Sequence, residues 1–131
     1  MNTTLFSALP NELRSGIKSV KKLADFGSIS STKEGYRELR TLNETDDILW
    51  APSTKELARE LEQENVLGQG AAYPIYTTNN SRKKEVDGVI SQYWTRSSPG
   101  WDAQWIYINE EGDQAHRSSL QKRSVCFGFC L

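Results

Sequence analysis

Leu9, Leu13, Ile17 and Val20 are spaced by four, four and three residues, which lines them up on one side of a helix. This spacing predicts a helix over 10–23. Pro10 suits its first turn, and Asn11 and Glu12 favour its positive end. Lys18, Lys21 and Lys22 fall toward its negative end, as a solvated face. Residues 25–47 are polar and show no period, so they read as a long loop with short ordered pieces around 36–42. Ile48 to Pro52 is a brief buried extended segment ended by proline. Ser53-Thr54-Lys55-Glu56 has the form of a capping box, with Leu57, Ala58 and Leu61 as the apolar side of a short helix over 53–64. Gly68-Gln69-Gly70 ends that helix. Tyr73–Tyr76 reads as extended, and 79–85 as a polar loop or a short helical turn.

The period then changes from helical to twofold. Tyr93–Arg96 reads as a strand, and 97–100 as a turn. Residues 103–109 alternate, with Trp105, Tyr107 and Asn109 on one side and Gln104, Ile106 and Ile108 on the other. Glu110-Glu111-Gly112-Asp113 is a hairpin turn, Gln114–Ser118 the returning strand and 119–123 a basic loop. Val125–Leu131 is apolar enough to be a central strand. Helices first and a mostly antiparallel sheet after them make the class α+β. The 131 residues form one domain, 1–131, with no repeat and no linker.

Composition narrows the partners. Sixteen basic residues stand against 17 acidic ones, for a net charge of −1, so no broad electrostatic claim on nucleic acid or membrane is expected. No apolar run approaches the roughly 20 residues of a membrane helix. The start, Met1 to Phe6, lacks the basic and apolar regions of a signal peptide. Export is therefore expected only as part of a larger assembly, and the chain itself is made in the cytoplasm. Cys126 and Cys130, on an extended strand, lie about 13 Å apart at ~3.3 Å per residue. That exceeds the roughly 7 Å a disulfide tolerates, so they are expected to be buried free thiols.

An ordered set of pieces resembles a bacterial and phage family of domains of unknown function. The pieces are Leu9-Pro10-Asn11-Glu12-Leu13 with Ile17-Lys18, Leu49-Trp50-Ala51-Pro52-Ser53-Thr54-Lys55-Glu56, and Tyr73 to Asn79 with Ser81-Arg82. The strongest are Tyr93-Trp94-Thr95-Arg96-Ser97, Tyr107 to Gly112 and Val125 to Leu131. Thr95 and Ser98 stand where that family usually has Leu and Pro. The resemblance implies a C-type-lectin-like fold, similar to the formylglycine-generating-enzyme type and to the variable proteins of diversity-generating retroelements. Two N-terminal helices would pack on a sheet made by the C-terminal half. Longer members carry further N-terminal sequence, so the resemblance also implies a shortened or minimal version here.

Catalytic motifs are missing from the sequence. His116 has no evident partner, Ser97 and Ser98 lie outside a nucleophile elbow, and the glycines around 68–70 lack the rest of a phosphate loop. Asp102, Glu110, Glu111 and Asp113 do not have calcium-loop spacing, and no cofactor is expected. Trp94 is expected in the core, and Arg96 is expected to bridge loops through its planar guanidinium. Trp101 sits in a Pro-Gly loop where the core pattern does not call for it. The candidate ligand-binding residues are Trp101, Asp102, Gln104, Trp105 and Tyr107, joined by His116, Arg117, Ser118 and Gln121, with Lys122 alongside. The rival is that Trp105 and Tyr107 face the core. The function expected is a non-catalytic, adhesin-like domain for a protein or carbohydrate on a cell surface, set in a virion or bacterial surface assembly. The alternatives are a structural or accessory virion or scaffold module, self-associating or part of a larger parent protein, and an enzyme of the formylglycine-generating type.

Overall fold

The computed structural model describes residues 2–27, 40–58, 70–98, 104–118 and 120–131. Among these residues, three short helices, α1 (Asn2–Ala8), α2 (Asn11–Gly16) and α3 (Asn79–Arg82), combine with eight strands. These are β1 (Val20–Gly27), β2 (Arg40–Asp47), β3 (Glu85–Val86), β4 (Val89–Ile90), β5 (Tyr93–Trp94), β6 (Gln104–Ile108), β7 (Gln114–Ser118) and β8 (Ser124–Val125). The mixture is α+β, with most pairings antiparallel.

The N-terminal third departs from its apolar spacing. Helix α2 stops at Gly16, and Ile17 is already extended at φ −72°, ψ 129°. Glycine is a poor helix former and the β-branched Ile17 and Val20 favour extended backbone, so four aligned apolar residues do not hold one helix together. Lys18 instead pairs with Cys130 across the molecule, and Val20 opens β1. Helix α1 has no counterpart in the sequence reading. The supposed loop of 25–47 contains the end of β1 and all of β2, which pair antiparallel from Val20↔Asp47 to Gly27↔Arg40. The side chains described along it, at 20–23 and 43–47, are exposed or half-buried, so burial left no apolar alternation to read there. Lys21 and Glu44 are exposed and pair across it at 2.8 Å.

The Ser53 capping box forms, with the Glu56 amide donating to Ser53 Oγ and the Ser53 amide to Glu56 Oε2, both at 3.0 Å. What it closes is one turn and not a long helix: the Leu57 amide reaches the Ser53 carbonyl, and Ala58 swings to φ +53°. The remainder of the expected helix, with Leu61, lies outside the described residues. Tyr73–Tyr76 is a turn closed by the Tyr76 amide on the Tyr73 carbonyl at 3.0 Å, not an extended segment. Helix α3 has its own reciprocal cap between Thr78 and Ser81.

The main sheet has the order β7-β6-β5-β8. Strands β6 and β7 form the expected hairpin, from Gln104↔Ser118 to Ile108↔Gln114. Its turn places Gly112 at φ +77°, where a Cβ would sit 1.9 Å from the Asn79 carbonyl oxygen. Only glycine fits there. The last strand is not central. β8 is short and lies at the edge, parallel to β5, with Val125 47% exposed. The chain beyond it leaves the sheet and pairs through Gly128 with Trp50 and through Cys130 with Lys18. Cys126 is half-buried but Cys130 is exposed, so the expectation of two buried thiols holds for neither fully. Burial pushes the Cys126 thiol pKa up.

One face of the sheet supplies Tyr93 and Ile108 to a core completed by Leu57, with Tyr76 and Cys126 packed on it. Leu49 and Trp50 are buried, as the brief extended segment before Pro52 predicts. Each such side chain contributes about 1.5–3 kcal/mol by leaving water.

Candidate functional site

Two groups of side chains stand out: a buried polar clamp and an open sheet face. The clamp is built on Glu56, which is 1% exposed. Arg96 Nη1 approaches its Oε2 at 2.5 Å and Lys22 Nζ its Oε1 at 3.0 Å. Burial alone would raise the Glu56 carboxyl pKa, but the Arg96 guanidinium, the Ser53 amide and Lys22 outweigh it and hold the pKa below the usual range. Lys22 also donates to Tyr73 Oη at 2.8 Å and lies 4.0 Å from the Trp50 ring centre. Arg96 spans three segments: its Nε donates to the Leu23 carbonyl at 3.1 Å, its Nη1 to the Ala51 carbonyl at 2.7 Å, and its amide to the Pro52 carbonyl at 3.0 Å. This is the loop-bridging role expected of it. Ser97 is fully buried, and its Oγ accepts from the Thr54 amide at 3.0 Å. Arg82 is a second such joint, 4% exposed, donating through Nε to the Gly112 carbonyl at 2.9 Å and through Nη1 to the Leu57 carbonyl at 3.3 Å. Tyr93 donates its hydroxyl to the Arg82 carbonyl at 2.8 Å. Lys22, expected on a solvated helix face, is instead drawn against Glu56, Tyr73 and Trp50, and Arg82 was named in the sequence only as part of a motif.

The open face follows from strand alternation. Trp105 and Tyr107 on β6, Ala115 and Arg117 on β7, Trp94 on β5 and Val125 on β8 share one side by register. Trp94 and Tyr107 meet edge to face, with ring centres 5.8 Å apart. Arg123 lies over both, its guanidinium carbon 3.8 Å from the Tyr107 ring centre and 4.6 Å from that of Trp94. Its Nε donates to Gln92 Oε1 at 3.0 Å and its Nη2 to Gln121 Oε1 at 2.8 Å. Gln92 in turn donates to both oxygens of Glu110, at 2.8 and 2.9 Å. Hydrogen bonding from Gln92 lowers the Glu110 carboxyl pKa. The chain from Gln121 to Arg123 thus fixes a planar cation on an aromatic pair.

The sequence-predicted site divides. Trp105 is 36% exposed and Arg117 is exposed opposite it. Tyr107 is on the same face but only 7% exposed, covered by Trp94 and Arg123. Gln104, His116 and Ser118 are on the opposite side of the hairpin, where Gln104 Oε1 and His116 Nδ1 lie 2.6 Å apart. A side chain at every second position cannot join its neighbours in one site on a single sheet. Gln121 is exposed and serves Arg123. Trp101 and Asp102 lie outside the described residues. Among the described residues, no three His, Cys, Asp or Glu side chains gather to hold a metal ion, and no helix is long and apolar enough to cross a membrane.

A family model described as a domain of unknown function (DUF6273) matches residues 1–131. No curated protein and no solved structure matches the chain.

Proposed function

The chain belongs to the DUF6273 family, and we propose that it is a non-catalytic binding domain that presents the open face of its main sheet to a partner on a cell surface. The observation that carries this is the pairing of a part-exposed indole, Trp105, with an exposed guanidinium, Arg117, on a strand pair stiffened from behind by the core. Beside them, Arg123 stacked on Tyr107 and Trp94 extends the same planar surface. Flat rings and planar cations present large contact area at low conformational cost. A C-type-lectin-like arrangement belongs to this proposal, supported by the order of helices and then a sheet whose final segment returns to the N-terminal part. So does a setting on a bacterial or phage surface assembly.

The test is binding of the purified chain to bacterial cells and to immobilised glycans, with Trp105→Ala compared to the parent. A loss of at least tenfold with unchanged circular dichroism supports the face. Equal binding by both proteins removes it.

A further inference from the structure

We infer that the partner recognised by this face is an acidic carbohydrate, one whose sugar rings carry carboxylates. This rests on the binding-face reading above and narrows it. Charge is the first ground. The strand residues of the face are Trp94, Trp105, Tyr107, Ala115, Arg117 and Val125, and none is a carboxylate. Arg123 adds a second cation above them. Of the acids in the adjoining turn, Glu110 is taken up by Gln92. The described strand residues of this side and Arg123 thus carry two positive charges and no negative one, in a chain whose net charge is −1.

Use is the second ground. Arg123 is committed to Gln92, Gln121 and two rings. Arg117 is exposed, and among the described residues it has no hydrogen-bond or ionic partner. Its planar fork is the group that matches a carboxylate with two parallel hydrogen bonds. Directly across the ladder, the Trp105 indole offers an apolar plate for the C–H face of a pyranose ring.

Size is the third ground. A stable protein partner needs about 800 Å² on each side, around a core of buried aromatic or aliphatic anchors. Here Tyr107 and most of Trp94 are already covered, so among the described residues Trp105, Arg117 and Val125 are the exposed side chains of the strands on this face. That footprint fits one or two sugar rings better than a folded surface.

The experiment measures binding of the full chain to galacturonic acid oligomers, to the same oligomers methyl-esterified, and to polyglutamate. The variants are Trp105→Ala, Arg117→Gln and, as a charge control on the exposed hairpin, Lys21→Gln. The expected result is binding of the acid oligomer, at least tenfold weaker after esterification or with Arg117→Gln, and unchanged with Lys21→Gln. No binding of the acid oligomer overturns the inference, as does equal binding of the esterified form. Polyglutamate bound as tightly as the acid oligomer also overturns it, in favour of an acidic polypeptide. In each of those cases, continued sensitivity of cell-surface binding to Trp105→Ala leaves the broader binding face standing. Loss of that sensitivity removes both.

Discussion

Glu56 gathers hydrogen bonds from Arg96, Lys22 and the Ser53 amide, and its chemistry makes a pH prediction. Its carboxyl is held below the ordinary range in the folded chain by Arg96, Ser53 and Lys22, against the effect of burial. A depressed acid contributes stability that is fully present above the unfolded carboxyl value near 4.3 and is lost as pH falls through the folded value. Glu56→Gln should therefore cost about 3 kcal/mol at pH 7, because it leaves Arg96 and Lys22 facing a neutral amide. The deficit should shrink below pH 4, and urea unfolding of both proteins between pH 7 and pH 3 checks it. Thiol labelling gives a second residue-scale test. Cys130 is exposed, whereas burial raises the Cys126 pKa and shields it. Cys130 should react with a disulfide reagent at least tenfold faster, which Cys126→Ser and Cys130→Ser separate. The capping box was legible in the sequence because its two partners lie three residues apart, whereas Arg96 was legible only as a bridging side chain, its partners standing 40 to 73 residues away. The cation on the far side, Lys22, was not, since 34 residues separate it from Glu56.

Among elements, the β6–β7 hairpin was the most legible, because twofold alternation, a Gly-containing turn and a returning strand all agree. Its two glycine-bearing neighbours make a paired prediction. Gly112→Ala places a methyl against the Asn79 carbonyl at a positive φ, and should cost at least about 2 kcal/mol. Gly88, at φ +78° in the β3–β4 turn, has open space where its Cβ would stand, and Gly88→Ala should cost only about 1 kcal/mol. Thermal melts of the two variants check the difference. The β1–β2 hairpin was illegible for the opposite reason. Its strands carry Lys, Asp, Glu, Asn and Thr, and the contacts described for it are mutual backbone pairing and exposed cross-strand ion pairs, which leave no apolar alternation in the sequence. The predicted helix over 10–23 failed at Gly16 because a helical spacing of apolar residues does not report that a distant strand will pair with the same backbone.

At the scale of the molecule, the segment after β8 joins parts that local pattern cannot connect. A Cβ at Gly128 would stand 3.1 Å from the Trp50 ring, and Gly128 exchanges backbone hydrogen bonds with Trp50, while the Lys18 amide reaches the Cys130 carbonyl at 2.9 Å. Removing residues 129–131 should therefore raise amide hydrogen exchange over 11–18 at least tenfold while leaving the β5–β6 pairing protected. Exchange followed by mass spectrometry checks this. Several residues of the ordered motifs lie at such joints: Ser53, Glu56, Arg96 and Ser97 in the clamp, and the terminal Phe-Gly-Phe run at the closure. Others, Trp94 and Tyr107, lie on the open sheet face, which is read from alternation and exposure.

The pairing of residue 18 with residue 130 also bears on how fast the native state is reached. A loop spanning nearly the whole chain must close before that contact yields any stabilisation, and β8 has no edge to join until β5 is in place. Chains dominated by such remote pairings refold in milliseconds to seconds rather than microseconds. The last ladder is then a late event, and a chain stalled before it would leave the Trp50 indole uncovered.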